Sequence, residues 1–534
     1  MSWDYIIVGA GSAGCVLANR LSADGRTKVL LIEAGGENNK LVIKIPALSL
    51  KAMNDPRTDW MFKSEPDPTR NNKSDLMSRG KGLGGSSAIN GTFYVRGNRG
   101  DYDHWAQLGN RGWSYDDILP YFKKVESNDD GVTDIYGKEG PVKVSQLRGV
   151  PKLTHVFVDA MAELGFPRNN AYNSEQGTGA SVLHATQHKG VRFSAARGYL
   201  DPIRNRRNLK IMTGATVNRV LFENKTAIGV ELVVDGHVSK EDCSGEVIIS
   251  ASAFNSPKLL MLSGIGPSDQ LNAHNIEIIH ENAAVGKNLQ EHPNTQVKGM
   301  VNVRTANLDH NLFGMIKHGT RFLLTRSGEA TFGYSGIAFV KTLPELEYPD
   351  IQFHFAAFAA EYTETGFRMD KEAAVNLQPN VNRSRSRGHL ELRSSNPNDP
   401  PRIYPNMLSD PYDVETLVRG GRVARAALKS KAFAPYFTGE LRPGREVETD
   451  DEWIDYIRQN ASGSYHPCGT CKMGIDPNAV VDPELRVIGV QGLRVIDSSI
   501  IPQVPSCNLN AISMAIGEKG SDLVLRSHRE RQTA

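Results

Sequence analysis

The chain has 534 residues, 39% hydrophobic and 23% charged, with 62 basic against 60 acidic side chains and a formal net charge of +2. This is ordinary globular composition, long enough for two or more domains with cores of their own. The near-neutral balance excludes a strong basic field, so no nucleic-acid partner is expected, and the densest basic cluster, NRSRSRGH at 382–389, reads as a solvated loop.

The N-terminal stretch MSWDYIIVGAGSAGCVLANRL has Asp4 where a secretion signal would be basic, and glycines break its apolar run. No run of about 18 apolar residues occurs, so no transmembrane segment is expected; peripheral contact with a membrane is left open. The five cysteines (Cys15, Cys243, Cys468, Cys471, Cys507) are odd in number and scattered, which is not a disulfide framework. The expected setting is a reducing cytoplasm.

In chain order, YIIV reads as a buried parallel strand, and Gly9, Gly11 and Gly14 follow in GxGxxG spacing. AGCVLANRLSA then reads as a helix whose N-terminal amides, with Ser12 and Ala13, would meet a pyrophosphate. The next strand, KVLLIEAG, ends in Glu33 and Ala34, and an acid 19 residues after Gly14 suits the adenosine ribose hydroxyls. Strand, helix and acid together point to a dinucleotide without separating NAD from FAD. Residues 80–103, GKGLGGSSAINGTFYVRGNRGDYD, are small and patterned, as if the backbone wraps a cofactor. NLKIMTGATVNRVLFENKTAIGVELVVDG at 208–236 reads as a β-meander with turns at Glu223–Asn224 and Asp235–Gly236. DIQFHFAAFA alternates like a half-buried strand, and PYDVETLVRGGRVARAAL has helical apolar spacing. Near the C-terminus GSYHPCGTCKMG places His466 ahead of Cys468 and Cys471. A metal clamp would need four ligands, and no second CxxC or HxxxH is present. A thiol couple would open a helix after a strand, not follow His-Pro.

Residues 80–103 and SASAFNSPKLLMLSGIGP at 250–267 resemble the two signature segments of the glucose–methanol–choline (GMC) oxidoreductases, flavoenzymes that oxidise alcohols. YHPCGTCKMG resembles that family's active-site strand, and LRVIDSSIIPQVPSCNLNAISMAIGEK at 493–519 its C-terminal cofactor-closing segment. The likeness runs from residue 4 to about residue 525, and most resembles bacterial FAD-dependent alcohol or choline dehydrogenases. It implies an α/β fold: a Rossmann-like FAD domain from 1–149, 191–299 and 461–534, and a second α+β substrate domain from 150–190 and 300–460 whose sheet covers the flavin. It further implies that His466 is the general base beside the flavin and that Asn510 orients the alcohol for hydride transfer to flavin N5. Trp60, Gly85, Asn90, Gly91, Val217, Asp497 and Ser498 would touch FAD. Cys471 falls at a family-typical position and Cys468 at a variable one, so both would be packing residues, with no metal. Some relatives attach FAD through a His where this chain has Ile89, so the flavin is expected to be non-covalent. Ser252 stands where Gly is more usual, and Ile512–Ser513 where Pro-Thr is. The implied reaction is oxidation of an alcohol to an aldehyde or ketone, with electrons passing to a quinone-like acceptor or O2. Alternatives on the same scaffold are a hydroxynitrile lyase with no net redox, a light-driven fatty-acid decarboxylase, whose branch lacks the His, and a non-catalytic flavin-binding protein.

Overall fold

The computed structural model describes residues 2–128, 135–175, 177–363 and 366–533. Two sheets organise it. The first is parallel at its centre, with strands in the order Leu209–Thr213, Val29–Glu33, Ser2–Val8 and His237–Ile249. Its inner strands are continuous apolar runs because both faces are covered. Ser12–Leu21 returns as a helix from the first strand, and the long terminal helix Leu509–Thr533 packs against it. The two approach closely at Gly517, where a Cβ would lie 2.9 Å from Val16 Cβ. The contact is reinforced by an Arg20–Glu518 ion pair at 2.6 Å and by Tyr199 Oη donating to Glu518 at 2.9 Å.

The strand His237–Ile249 serves two neighbourhoods. Its first half pairs antiparallel with Thr226–Val234, and its second half lies between Ser2–Val8 and Leu493–Val495, parallel to both. The meander expected over 208–236 therefore starts later. Leu209–Thr213 belongs to the parallel sheet, and the antiparallel run begins at Ala215–Glu223. Gly214, at φ +69°, turns the chain out of one pairing and into the next. The turn expected at Asp235–Gly236 is present, at φ +49° and +78°, and the one expected at Glu223–Asn224 falls one residue later, at Asn224 and Lys225 (+47° and +63°), because Glu223 still pairs with Thr226; both are the left-handed pairs of tight hairpins.

The second sheet runs Phe437–Arg442, Val297–Val301, Ala374–Val381, Ile351–Ala356, Gly336–Val340 and Gly179–Val182, all antiparallel, with Pro293–Asn294 and Ser462–Gly463 added at one end. The break expected at 299 falls inside one of these strands, and Ser462–Gly463 lies beyond the expected end at 460. The helices Lys152–Glu163, Pro411–Leu428 and Asp450–Asn460 share a core with one face of the sheet. Ile351–Ala356, read as half-buried, is buried at every position. Its Ile351, Phe353 and Phe355 join the helix-side core, while Gln352 and His354 project to the other side. Ala374–Val381 does the same, with Val375, Leu377 and Val381 in that core and Asn376, Gln378 and Asn380 alternating with them. Both faces are covered, one by helices and the other by the first domain, and the polar positions in the buried strands mark the face that lines a cavity.

Candidate active site

Between the two sheets lies a cavity of about 790 Å3 that runs from the GxGxxG loop to His466. At its nucleotide end, Gly9 (φ +104°) sits so close to the Ser250 carbonyl that a Cβ would collide with it, and a Cβ on Gly14 would collide with Gly9 O. Gly11 differs. It lines the cavity, and a Cβ there would find no protein atom nearer than Ser250 O at 3.9 Å, so the space it leaves is cavity. Ser12 and Ala13 line the same wall at the start of the helix. Glu33 is fixed by three amide N–H donors, from Ala10 at 2.9 Å, Gly35 at 2.8 Å and Gly82 at 2.9 Å. It still faces the cavity beside Ala34, so its carboxylate is preset to accept from a sugar hydroxyl. Val217 and Trp60 line the cavity too, Trp60 stacked on Phe62 and capped by Lys81. An open phosphate cradle at a helix N-terminus with an anchored acid nearby fits FAD.

The small-residue segment comes back over this wall. A Cβ on Gly85 would lie 2.8 Å from Gly11 Cα. Asn90 and Gly91 line the cavity, and Asn90 Oδ1 accepts from Thr92 N–H at 3.0 Å and from the buried Arg192 guanidinium at 2.7 Å. Ile89 points elsewhere, into a cluster with Ile43, Ala52, Met53 and Ala88. Asp497 and Ser498 line the far side, and the Asp497 carboxylate accepts from Ser252 N–H at 2.8 Å, Ser499 N–H at 2.7 Å and the Ser256 hydroxyl. The bond to Ser252 holds a non-glycine residue at φ +79°. Left-handed backbone at such a residue costs about 1–2 kcal/mol. Ser252→Gly therefore removes strain while adding chain entropy to the unfolded state. Its thermal midpoint should rise, by the equivalent of up to about 1 kcal/mol; an unchanged or lower midpoint contradicts the strain.

At the other end His466 follows Tyr465, which is itself at φ +63°. Its backbone N–H donates to both oxygens of buried Glu291, at 2.7 and 2.9 Å, fixing where the ring departs from the chain. The ring's Nδ1 lies 2.9 Å from Nδ1 of His292, and its Nε2 lies 3.1 Å from the Asn508 amide nitrogen. The proton positions follow from the outer partners. His292 Nε2 faces two carbonyls, Asn382 O and Pro505 O, each at 3.1 Å, so it carries the hydrogen. His292 Nδ1 is then an acceptor, His466 Nδ1 must donate to it, and the lone pair of His466 is left on Nε2. Asn508 is oriented in turn by Gln352 Nε2, which donates to its Oδ1 at 2.9 Å. Burial, and then the charges of His292, His354 and Arg79, hold the His466 imidazole well below its ordinary value, while burial lowers His292 to about 4 and His354 to about 3. Glu291 is pushed up to about 7 by burial, against the pull of Arg79 and of the amides it accepts from. The site holds a neutral imidazole whose Nε2 lone pair accepts from the Asn508 amide.

Asn510, expected beside the alcohol, is not against His466. Its Oδ1 accepts from Ser12 Oγ at 2.8 Å, on the dinucleotide side of the same cavity. Asn508 precedes Leu509, the first residue of the terminal helix, and two positions along a helix turn a side chain by about 200°. One asparagine therefore meets the histidine and the other meets the nucleotide loop. Sequence reasoning also missed Glu291, His292 and His354. His354 lies on the cavity wall against Phe93, ring centroids 4.5 Å apart, and its Nε2 is buried with no hydrogen-bond partner among the described residues. For His354 the signal available was a polar residue at an alternate position of a buried strand; Glu291 and His292 lie in no strand and carried none. Of the expected set, Gly9, Gly11, Ser12, Ala13, Glu33, Ala34, Trp60, Gly85, Asn90, Gly91, Val217, Asp497, Ser498, His466 and Asn510 all reach the cavity, whereas Gly14 lies behind it. Cys468 and Cys471 are wholly buried free thiols in the first domain's core, their pKa values raised by burial. Among the described residues no group of three or more His, Cys, Asp or Glu could hold a metal ion.

A dinucleotide fold joined to a second sheet over a cavity with a neutral histidine at one end is the frame of a nucleotide-cofactor oxidoreductase, and the family match makes it a flavin-dependent one acting on CH–OH donors. The chain belongs to the GMC oxidoreductase family, whose N-terminal and C-terminal parts match residues 3–294 and 384–517. It is 42% identical over 529 residues to the oxygen-dependent choline dehydrogenase of Brucella canis, covering 98% of this chain and 96% of that one, and 41% identical over 535 residues to its counterpart in Sinorhizobium fredii, with the same coverage. Among solved structures it resembles pyridoxine 4-oxidase from Mesorbium loti, with a TM-score of 0.89 and 29% identity over 99% of both chains. It also resembles formate oxidase from Aspergillus oryzae RIB40, with a TM-score of 0.90 and 25% identity over 99% of both chains. The protein is an FAD-dependent enzyme of alcohol oxidation, and no helix among the described residues is long and apolar enough to cross a membrane.

Proposed function

We propose that this enzyme oxidises an uncharged alcohol, with His466 Nε2 as the base and Asn508 and His354 as the groups that hold the substrate oxygen. The carrying observation is the hydrogen-bond chain from the Asn382 and Pro505 carbonyls through His292, which leaves the His466 lone pair on Nε2. An alcohol O–H that displaces the Asn508 amide from Nε2 is positioned for proton removal, and the released amide can then donate to the oxygen that forms. Bound FAD would supply the acceptor for the hydride that leaves the α-carbon. Gly9, Gly11, Ser12, Glu33, Asn90, Asp497 and Ser498 would hold it, with Asn510 steadying Ser12.

The uncharged substrate is argued from the lining. Among the described residues, the cavity's carboxylates are Glu33, Asp309, Glu329 and Asp497, and each already has partners. Glu33 and Asp497 accept from amides and hydroxyls as above. Asp309 pairs with Arg304, Lys317 and His318, and Glu329 with His318 and Arg321. The described groups nearer His354 are neutral: Phe93, Tyr334, Phe358, Asn376 and Gln378. Such a wall suits an apolar body, whereas to a quaternary ammonium it offers only the ring faces of Phe93, Tyr334 and Phe358, with no unpaired carboxylate among the described lining residues. The relatives named above are dehydrogenases and oxidases, which favours net oxidation over a lyase. The electron acceptor is a quinone-like carrier or O2.

The test is anaerobic mixing of the flavin-loaded enzyme with benzyl alcohol, 1-hexanol and choline, following the flavin band. The neutral alcohols should bleach it faster. Choline bleaching it at least about tenfold faster would overturn the substrate class, and no bleaching by any alcohol would overturn alcohol oxidation. Peroxide production matching substrate use would assign O2 as acceptor, and dye reduction without peroxide a quinone-like carrier. Because position 89 is isoleucine, acid precipitation should leave a white pellet under a yellow supernatant; a yellow pellet would show covalent attachment.

A further inference from the structure

The helix Leu312–Thr325 turns its apolar side outward. At 100° per residue, Leu312, Phe313, Ile316, Leu323 and Leu324 share an arc of about 120°. They are 72%, 80%, 59%, 69% and 79% exposed. Gly314 and Phe322, on the opposite side, are the buried positions of this helix. A surface helix of a globular protein normally has the reverse arrangement. The other conspicuous exposed leucine, Leu41 at 67%, lines the active-site cavity, as do Met315, His318 and Gly319 of this helix. The stripe therefore stands at the rim of the cavity.

We propose that this face docks on an anionic lipid surface. Lys317 and Arg321 border one edge of the stripe on the helix, with Arg304 and Arg326 before and after it in the chain, and the acids of the same segment are Asp309 and Glu329. Three of these cations, Arg304, Lys317 and Arg321, hold the two acids in ion pairs, so the segment carries a net excess of two positive charges. An apolar stripe bordered by cations is the pattern of a helix lying in the plane of a bilayer interface, and its 14 residues are too few to span one. A second copy of the chain fits less well, because joining two such faces would bring the cationic borders together. Docked in this way, the cavity rim faces the lipid, from which an apolar alcohol or acceptor can enter without crossing water.

The experiment is co-sedimentation of the full-length, flavin-loaded protein with vesicles of phosphatidylcholine, with and without about one third phosphatidylglycerol. The protein should pellet with the anionic vesicles, less with the neutral ones, and less as salt rises. The double variant Phe313→Ser/Leu324→Ser, both highly exposed and outside the cavity wall, should lower partitioning at least about tenfold while leaving oxidation of a water-soluble alcohol unchanged. Failure to pellet with anionic vesicles overturns the proposal, as does pelleting of the double variant equal to that of the parent. A parent dimer that the double variant converts to monomer, with neither binding vesicles, would assign the face to a second copy instead. Sedimentation reads no turnover, so its outcome is separate from the catalytic reading.

Discussion

Replacing His466 by alanine should slow reduction of the bound flavin by alcohol about 10²–10⁴-fold, the range a positioned general base supplies. The variant should still load FAD, because the residues proposed to hold the nucleotide, Gly9, Gly11, Ser12 and Glu33, line the opposite end of the cavity. The two asparagines separate the assignments further. Asn508→Ala removes the amide that faces Nε2 and should slow reduction by less than the histidine change does, since orientation is lost but the base remains. Asn510→Ala removes the partner of Ser12 and should weaken FAD retention more than it slows the chemical step. The pH profile carries a sign. Only the neutral imidazole accepts a proton, so kcat/KM rises with pH through the His466 pKa. Burial and neighbouring positive charge depress that pKa, so the rise should fall on the acid side of about 6.5 and not above it. Anaerobic stopped-flow measurements on folded, flavin-loaded variants check all of this. A His466→Ala enzyme that bleaches its flavin at near the parent rate would remove the histidine from the mechanism.

Alanine at Gly14 and alanine at Gly11 should fail in different ways. At Gly14 the added methyl collides with the Gly9 carbonyl, backbone against backbone, with no flexible side chain to move aside. The helix Ser12–Leu21 must shift off the parallel sheet, costing about 1–3 kcal/mol or more and spoiling the loop that meets the pyrophosphate. Gly14→Ala should therefore be thermally weakened and purify largely without flavin. At Gly11 the same methyl meets only cavity, so the apoprotein should melt at the parent temperature yet retain FAD poorly. Equal melting temperatures for the two variants, or full flavin occupancy in Gly11→Ala, would show that the cradle is not where the dinucleotide binds.

What was legible in the sequence was what repeats along the chain. Tyr5–Val8 and Val29–Ile32 are continuous apolar runs because helices cover both faces of their sheet, and the glycine spacing between them specifies one kind of turn. The likeness to a known family added the second domain and the segment bearing His466. Beyond that, register decided the outcome. CNLNAI offers two asparagines two positions apart, and the side each one faces depends on where the terminal helix begins, which propensity does not fix to a single residue. His292 and His354 carry no motif; only the fold brings residues 292, 354, 466 and 508 to one point. Ile351–Ala356 alternates as a strand with one wet face would, yet its polar face meets a cavity, and alternation alone does not distinguish a cavity from solvent. The outward apolar helix Leu312–Thr325 carried no expectation at all, since its spacing is that of any amphipathic helix and does not say which way it faces.

The first domain is built from the two ends of the polypeptide, and this bears on its biosynthesis. Leu493–Val495 completes the parallel sheet begun by Ser2–Val8, and Ser12 and Arg20 find their partners 498 residues later, in Asn510 and Glu518. On a ribosome adding about 5–20 residues per second, the glycine loop emerges tens of seconds before the helix that closes over it. Until then the nascent chain presents an unfinished sheet with an exposed edge, a surface that other chains or chaperones can engage. The flavin cradle is thus complete only after residues 493–518 have been made, so flavin loading is a late event in the chain's synthesis.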